Sequence, residues 1–379
     1  MKKVSLIVLF LAAVSSCRSG EKIDRITENG VEVVLNHIRP YKLNNQFSTF
    51  DLQTILTIDT EREDLAKAGM GEAGEFDVDG QGNIYIVAFK NQKNFIYRFD
   101  PQGRLLNSLG RNGQGPGEIE WPFLDRVFDD GRIALTDHMR KYVVFDRDGK
   151  AIREFRPEFE ISYITPLDNG RFVIEIPRYE TKTSNDYSHK ISLCLYDSNF
   201  HEINELDHFQ WPADGGNEKL FPYFLWRVSS GHIYIANQER GYEILDYDLE
   251  GNLRRKIRKE YHVVAPSSAI KKSILGPNYN QPGVAHYLPN PLPPICSLFV
   301  DDEGRLFVMT YESGDRPGEY IWDIFNSSGA YFGRKSLDFS WSGLRYGSKY
   351  ALVKKGLFYA YKEKENGFSE LTVQKIIWK

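Results

Sequence analysis

Short hydrophobic stretches alternate with polar turns along most of the chain, and one pattern of this kind recurs six times. Each copy has a hydrophobic stretch, a polar turn with glycine, and a second stretch rich in aromatic and β-branched residues. The turn glycines are Gly82, Gly131, Gly170, Gly231, Gly304 and Gly356. They are 49, 39, 61, 73 and 52 residues apart. Strand repeats of this kind predict a β-propeller or a solenoid, and a propeller blade takes about 40–50 residues.

A second turn signal follows most of these copies. An aromatic residue ends a strand, and Asp or Asn then turns the chain, usually with Gly. The copies are Phe99–Gly103, Phe145–Gly149, Tyr196–Phe200, Tyr247–Gly251 and Phe325–Gly329, of which the third lacks the glycine. Each unit therefore contains four strands, named a to d in chain order, with short a–b and c–d turns. The sequence predicts an all-β, six-bladed β-propeller of four-stranded blades.

The last unit lacks an outer strand after its third strand, Glu370–Trp378. An unpaired outer edge would be open to association with other chains. Phe50–Ile58, before the first blade, has the hydrophobic pattern of a spare strand. We therefore expect this segment to pair with Glu370–Trp378 and to close the ring. Val31–Leu35 is predicted to form one further edge strand.

The connections on the two faces of the ring differ in length. The a–b and c–d turns of a propeller lie on one face, and the b–c and d–a loops lie on the other, which we name the long-loop face. Its longest segments are Arg111–Pro122, Pro177–Lys190, Gln210–Pro222, Glu260–Pro294 and Glu312–Glu319. Because loops on a rigid scaffold commonly contain the functional residues, we expect function on this face.

The largest insertion, residues 260–294, contains seven of the 17 prolines of the chain. Ser267 is expected to cap a short helix over Ser268–Leu275, which Gly276 and Pro277 end. The proline-rich remainder is not compatible with a regular strand or helix. It is expected to form a lid-like loop over the long-loop face or a mobile arm.

The first residues have the pattern of a leader. Lys2 and Lys3 precede an apolar run over Val4–Val14, which is shorter than the roughly 20 residues that span a bilayer. Val14-Ser-Ser-Cys17 then resembles a lipobox; the alternative is an ordinary secretory signal with an incidental cysteine. We expect a signal peptide at 1–16, lipidation at Cys17, a tether and extension at 17–48, and the propeller at 49–379. The lipid would anchor the protein to a bacterial membrane, facing the periplasm or the exterior.

Composition narrows the partners. Without residues 1–16 the chain has 46 Lys and Arg against 52 Asp and Glu, a net charge of −6. This acidity argues against a nucleic-acid partner, which requires a basic face. Cys194 and Cys296 lie in strand-like runs and are expected to be buried thiols.

Two segments resemble a known repeat family. Ile133–Asp146 resembles the NHL repeat, in which a strand ending in Ala-Asp leads through a polar loop with Arg to a Val-x-Val-Phe-Asp strand. The glycine-rich loop Gly110–Glu118 also looks like that of NHL-type propellers. Together with the lipobox, residues 49–379 resemble the bacterial six-bladed β-propeller lipoproteins, whose function is largely unassigned. The resemblance implies the fold and says almost nothing about the ligand.

Candidate binding residues lie in or beside the connections of the long-loop face. Aromatic residues near the d–a connections can stack on sugar rings or hold a peptide, or they can pack between blades. Arginines near the inner strands can bind an anionic group at the channel mouth, or they can form structural ion pairs. Asp137, His138 and Arg140 can form a polar ligand site, or they can cap and pair within the fold. The candidate residues are Arg111, Trp121, Asp137, His138, Arg140, Trp226, Arg227, His286 and Tyr287.

The chain has no Gly-x-Ser-x-Gly elbow and no His-Glu-x-x-His motif. No helix pattern follows the glycine loop Gly110–Gly117, as phosphate binding at a helix terminus would require. Asp77 and Asp125 are the acidic candidates on inner strands, which is few for a calcium site with six or more oxygen ligands.

The leading hypothesis is therefore a lipid-anchored binding or scaffolding module for a glycan, a peptide or an envelope protein, with no predicted cofactor. The membrane would be contacted through the N-terminal lipid alone. The alternative is a hydrolase or lyase with a metal, such as calcium, at the channel mouth. A structural subunit of an envelope complex is the third reading.

Overall fold

The computed structural model describes residues 23–42, 47–89, 94–137, 141–159, 161–183, 186–211, 224–275, 288–338, 351–364 and 369–379. These residues form six sheets, five of four strands and one of six, and each sheet contains one of the six predicted four-stranded antiparallel blades. The all-β, six-bladed prediction is confirmed. None of the helices in the described part of the chain is long and apolar enough to span a membrane.

The strands follow the chain from the inside of each blade to its outside. The N-terminal segment provides β1 (Asp24–Glu28), β2 (Val31–Asn36), β3 (Phe50–Asp59) and the short helix α1 (Glu63–Lys67). Blade 1 contains β4 (Glu72–Val78), β5 (Ile84–Phe89), β6 (Ile96–Phe99) and β7 (Leu105–Leu109). Blade 2 contains β8 (Pro122–Val127), β9 (Ile133–Asp137), β10 (Lys141–Phe145) and β11 (Ala151–Phe155).

Blades 3 to 6 repeat this order. Blade 3 contains β12 (Tyr163–Pro166), β13 (Phe172–Thr183), β14 (Asp186–Tyr196) and β15 (Glu202–Trp211). Blade 4 contains β16 (Phe224–Ser229), β17 (His232–Asn237), β18 (Glu243–Asp248) and β19 (Leu253–Lys259), with a 3-10 turn at Gln238–Arg240. After helix α2 (Ser268–Leu275), blade 5 contains β20 (Ser297–Val300), β21 (Leu306–Ser313), β22 (Glu319–Phe325) and β23 (Tyr331–Asp338). Blade 6 contains β24 (Ala351–Lys354), β25 (Leu357–Glu363) and β26 (Ser369–Trp378).

Strand β3 is the outer strand of blade 6 and closes the ring. It runs antiparallel to β26, with Phe50 opposite Trp378 and Asp59 opposite Glu370. Phe50 is fully buried, and its ring centroid is 5.1 Å from that of Trp378. The predicted closure is confirmed, because the hydrophobic face of β3 completes the core that the last blade leaves open.

The N-terminal hairpin extends blade 4 outward. Strand β2, which the sequence predicts, pairs in parallel with β19, and β1 pairs with β2. The buried Asn36 side chain donates to the carbonyl oxygens of Arg258 and Gly329, each at 3.0 Å, and accepts from the Tyr331 N–H at 2.8 Å. The hairpin therefore links the outer edges of blades 4 and 5.

The same pattern of side-chain hydrogen bonds recurs in the c–d turns. One carboxylate or amide oxygen accepts the backbone N–H groups two and four residues later, as Asp100 does from Gln102 and Arg104 at 2.9 Å each. The fourth turn residue has positive φ and is usually glycine, which adopts this region without strain. Phe200 takes that place in blade 3 at φ 63°. Its ring stacks on Phe155 at 3.8 Å, a contact that offsets the backbone cost.

Between neighbouring blades the core is mainly hydrophobic, and a buried polar cluster lies between blades 4 and 5. Lys259 Nζ is 3.3 Å from Asp323 Oδ2, and both residues are buried. Tyr242 and Tyr331 each donate a hydroxyl hydrogen bond to Asp323 at 2.9 Å. Because every charge here has partners, the cluster can be buried at a tolerable cost.

The described parts of the proline-rich insertion pack on blade 5. The predicted helix is α2, and Ser267 Oγ accepts the N–H of Ile270 at 3.2 Å. Ile270 and Leu292 are buried in the core cluster of blades 5 and 6. The described portion is therefore a packed element. Cys194 and Cys296 are buried free thiols, as expected.

Candidate functional site

At the short-turn end of the channel, polar contacts tie four blades together. Lys354 of blade 6 places Nζ 2.7 Å from the Val78 carbonyl oxygen of blade 1 and 2.7 Å from Asp129 Oδ1 of blade 2. Its neighbour Lys355 bonds the Gly80 carbonyl and, through its N–H, the Asp302 carboxylate of blade 5. The cationic side chains at this end therefore have partners.

The inner-strand carboxylates that were candidates for metal ligands already accept hydrogen bonds from other groups of the protein. Asp77 Oδ2 accepts the N–H of Val127 in the next blade at 2.6 Å, and burial raises the pKa of this carboxyl. Asp125 Oδ2 accepts a hydrogen bond from Thr136 Oγ1 at 2.6 Å. Among the described residues, no three His, Cys, Asp or Glu side chains are grouped closely enough to hold a metal ion.

The long-loop end of the channel presents aromatic side chains where the inner strands of blades 2 to 4 begin. Trp121, Phe123 and Tyr163 are exposed, by 58%, 37% and 44% respectively. Trp226 is half-buried on β16; its Nε1–H donates to Thr165 Oγ1 at 3.1 Å, and its ring is 6.1 Å from Tyr163. We name these four residues the aromatic rim.

Asp137 fixes the backbone beside Trp121. Its Oδ1 accepts the N–H of Trp121 at 2.8 Å and that of Glu120 at 3.2 Å. Asp137 ends strand β9, so these two bonds fasten the preceding d–a loop to its own blade. Asp137 therefore caps this loop, and its hydrogen bonds fix the position of the Trp121 backbone.

The glycine-rich loop surrounds a carboxylate of the protein itself. Gly115 N–H donates to Glu118 Oε2 at 3.0 Å, and a Cβ on Gly113 would lie 2.3 Å from the same oxygen. Ile119 N–H bonds the Arg111 carbonyl at 3.0 Å, while the Arg111 residue is exposed. The glycines therefore leave room for the carboxylate of Glu118 inside the loop. Arg111 is exposed at the surface of the loop.

Arg227, which follows Trp226 on β16, is half-buried and has few partners for its charge. Its Nη1–H donates to the Trp226 carbonyl oxygen, and Nη2 is buried without a hydrogen-bond partner. No carboxylate of the described residues forms an ion pair with it. Burial lowers the pKa of Arg227 to about 9. Arg126 on β8 differs, because its Nη2 is 2.7 Å from Asp168 Oδ1.

Glu175 lies beside the rim residue Tyr163 and was not predicted from the sequence. It lies on β13 directly opposite Tyr163 of the inner strand β12. Burial raises the pKa of this carboxyl to about 8, and no described residue hydrogen-bonds or pairs with it. The available signal was a single acidic residue in the run Phe172–Ile176.

The structure thus groups Trp226 and Arg227 on one inner strand and places Trp121 and Asp137 together in blade 2. Arg111 lies in the d–a loop that leads to Trp121. The remaining candidates fall outside the described residues: Cys17, His138, Arg140, His286 and Tyr287.

Comparisons with known proteins agree on the fold. Residues 76–208, which run from blade 1 into the outer strand of blade 3, match a family model described as a 6-bladed beta-propeller. The predicted resemblance to bacterial six-bladed propellers of unassigned function is confirmed, whereas the NHL-repeat assignment stays a prediction. A search of curated proteins by sequence gives no match.

Two solved structures share the architecture over most of this chain. One is a Bacteroides fragilis protein that is predicted to be exported; it is 14% identical, covers 92% of this chain and 100% of its own, and has a TM-score of 0.51. The other is a member of the DUF4221 family from Bacteroides vulgatus; it is 12% identical, covers 88% of this chain and 100% of its own, and has a TM-score of 0.50. At such identities the likeness shows the fold alone.

Proposed function

We propose that the protein is a lipid-anchored, extracytoplasmic propeller that binds a glycan at the long-loop mouth of its channel. The observation that supports this function is the aromatic rim, which presents three exposed aromatic side chains at the beginnings of inner strands. Exposed aromatic groups in one region of a rigid scaffold favour a binding surface. The C–H faces of a sugar ring stack on such flat surfaces.

The rim combines exposed faces with fixed positions. Asp137 holds the backbone of Trp121, and Thr165 holds the indole of Trp226. Pre-organised aromatic groups lose little conformational entropy when a ligand binds. Peptides and partner proteins also use aromatic surfaces, so a peptide or a protein is the alternative outcome of the binding test.

The proposed location has two supports. The first is the leader pattern, in which an apolar run precedes Val14-Ser-Ser-Cys17. The second is the fold shared with a Bacteroides fragilis protein that is predicted to be exported. A lipid on Cys17 would hold the propeller at a membrane surface.

Glycan binding is tested by replacing an exposed rim residue. The full chain in detergent is screened on a glycan array, and affinities for the hits are measured by titration calorimetry. Trp121→Ala is expected to weaken binding about tenfold, because stacking contacts of this kind contribute about 1–1.5 kcal/mol. Phe47→Ala is the matched control: Phe47 is equally exposed, at 58%, and precedes the outer strand of blade 6. Equal affinities of wild type and Trp121→Ala, or binding to peptides and no glycan, would contradict the proposal.

Anchoring is tested separately by labelling bacteria that express the protein with a palmitate analogue. Wild type is expected to incorporate the label and to fractionate with membranes, whereas Cys17→Ser should lose both properties. Cys194→Ser is the control, since that thiol is buried in blade 3. Label that persists in Cys17→Ser, or a wild type without label, would exclude lipidation at this cysteine.

A further inference from the structure

Glu175 is an acidic residue for which the fold provides no partner. It is half-buried, and no described residue forms a hydrogen bond or an ion pair with its carboxyl group. Buried polar groups of folded proteins almost always have partners, and an exception in a native structure requires an explanation. A ligand that supplies the missing partner is such an explanation, because energetic costs of this kind are common at binding sites.

The internal repeat shows that the fold does not require a carboxyl group at this position. Glu175 lies five residues after its turn glycine, Gly170, on the second strand of blade 3. Val173, two residues earlier, packs in the core between blades 3 and 4, so this face of β13 is turned towards blade 4. The residues at the same position in the other five blades carry no charge: Val87, Thr136, Ala236, Met309 and Tyr361.

Other carboxylates towards the long-loop end have partners in the protein. Glu118 accepts the Gly115 N–H at 3.0 Å. Asp207 lies in the same row of side chains as Glu175, and its Oδ1 accepts a hydrogen bond from Arg240 Nη1 at 2.8 Å. Asp207 and Arg240 are the next charged groups along this row, and they neutralise each other. What distinguishes Glu175 is the lack of such a donor among the described residues.

Aromatic side chains of the rim lie beside this carboxyl group. Tyr163 is directly opposite Glu175 in the ladder, and opposite residues of an antiparallel pair have neighbouring side chains on one face. Trp226 approaches the same face from blade 4, because its ring is 6.1 Å from that of Tyr163 and its Nε1–H donates to Thr165 Oγ1 at 3.1 Å. Tyr163 is 44% exposed, so a ligand can reach this crevice between blades 3 and 4 from the long-loop mouth.

We propose that an amino sugar of the glycan binds in this crevice, with its ammonium group paired to the Glu175 carboxyl and its ring against Tyr163 and Trp226. The inference rests on the proposed glycan-binding function and names the class of glycan. A cation is the partner that the carboxyl group lacks here, and the faces of aromatic rings also attract cations. The net charge of −6 of the chain without residues 1–16 favours the approach of such a ligand.

The test compares three tetrasaccharides of the same linkage by titration calorimetry on the full chain at pH 6: cationic tetraglucosamine, neutral tetraglucose and the neutral tetramer of N-acetylglucosamine. Wild type is expected to bind tetraglucosamine about tenfold more tightly than either neutral sugar. Glu175→Gln should remove this preference and leave tetraglucose binding within about twofold, because the amide keeps the shape of the side chain without its charge. Glu158→Gln is the matched control and should keep the preference, since Glu158 is an exposed acid in the loop that leads to Tyr163.

A second readout is the proton that Glu175 loses when it pairs with the ammonium group. Burial raises the pKa of this carboxyl to about 8, so it is protonated at pH 6, and the pairing must release about one proton. Titrations in buffers of different ionisation enthalpy should detect the release for wild type and Glu158→Gln, and none for Glu175→Gln. Wild type that binds tetraglucosamine without releasing a proton would contradict the pairing.

The outcomes separate the two proposals. If wild type does not prefer tetraglucosamine, if Glu175→Gln keeps the preference, or if Glu158→Gln loses it equally, the ammonium site is wrong while glycan binding stands. If wild type binds none of these sugars and no glycan on the array, the proposed function itself fails. The Tm of ligand-free Glu175→Gln at pH 6 should match that of wild type, whose carboxyl is also neutral at this pH. A lower Tm would assign Glu175 a structural role and would overturn the inference.

Discussion

The two ends of the channel are built from the same strands and differ in how far their polar groups are satisfied. At the short-turn end, Asp301 is buried and accepts three hydrogen bonds, and Lys354 has both a carboxylate and a carbonyl partner. Towards the long-loop end, the carboxyl group of Glu175 has no described partner, and Trp121 is exposed. The contrast indicates that the short-turn end stabilises the ring, and it agrees with the binding site that we propose at the long-loop end.

The largest effect is expected when a turn carboxylate of the short-turn end is removed. Asp301 is 1% exposed and accepts from Glu303 N–H at 3.0 Å, Arg305 N–H at 2.9 Å and Arg305 Nε at 2.6 Å. Asp301→Ala should lower the free energy of unfolding by about 3 kcal/mol, because buried donors lose their acceptor. Urea denaturation measures the change.

Asp130→Ala is the matched control for this turn. Asp130 bonds Arg132 in the equivalent turn of blade 2, and its side chain is 56% exposed. We expect a loss below about 1 kcal/mol, since water replaces the lost bonds. Losses of the same size at both positions would show that burial does not distinguish these turns.

The next effect should be a gain in stability at the long-loop end. The folded-state pKa of Glu175, about 8, lies above its ordinary 4.5, so the proton that stabilises the fold is lost as the pH rises from about 4.5 through 8. Glu175→Gln should therefore be more stable than wild type by about 2 kcal/mol at pH 9, a discounted value for a partly solvated group. The two proteins should be equally stable at pH 4. Denaturation at both pH values tests this, and a pH-independent difference would refute it.

A smaller loss is expected from the lysine that bridges blades 6, 1 and 2. Lys354→Ala should cost about 1 kcal/mol, because its contact with the Val78 carbonyl is sheltered while its partner Asp129 is 79% exposed. Lys67→Ala, which breaks an exposed pair with Glu63, is the control and should cost less than about 0.5 kcal/mol. Chemical denaturation at low and high salt measures both. A Lys354 effect no larger than the control would argue against the bridge.

The smallest effect should follow the loss of a rim side chain. Trp121→Ala is expected to change the free energy of unfolding by less than about 0.5 kcal/mol, because 58% of the residue is already exposed. Differential scanning calorimetry of the ligand-free protein checks this. A large loss would mean that the indole stabilises the blade, and the binding defect of this variant would then need another explanation.

The fold was predictable because its signals are local and repeated. Each turn glycine is visible in the sequence, and the hydrophobic pattern of β3 matches the strand that blade 6 lacks. Strand β1 was missed because most of its side chains are polar and exposed, so pairing with β2 leaves no hydrophobic pattern. In the sequence Phe200 is visible only as a departure from the turn glycine, because aromatic stacking between strands cannot be predicted from residue spacing.

The site was less predictable than the fold. The alternation of hydrophobic and polar residues along a strand predicts which face of the sheet a side chain is on. It does not predict which groups of the neighbouring blade that side chain contacts. Arg126 and Arg227 were therefore equivalent in the sequence, and their partners distinguish them in the structure. Glu175 was missed for the same reason, since its pKa depends on burial by residues that are distant in the chain.

The hairpin of β1 and β2 has a consequence for how the molecule would stand on a membrane. Six residues lie between Cys17 and Asp24, where the hairpin begins, and a chain of this length reaches at most about 25 Å. The hairpin is attached to the circumference of the disc, at the outer edge of blade 4. In the anchored protein that we propose, blade 4 is therefore the part of the molecule nearest the membrane. Attachment at this edge leaves both openings of the channel accessible to large polymers.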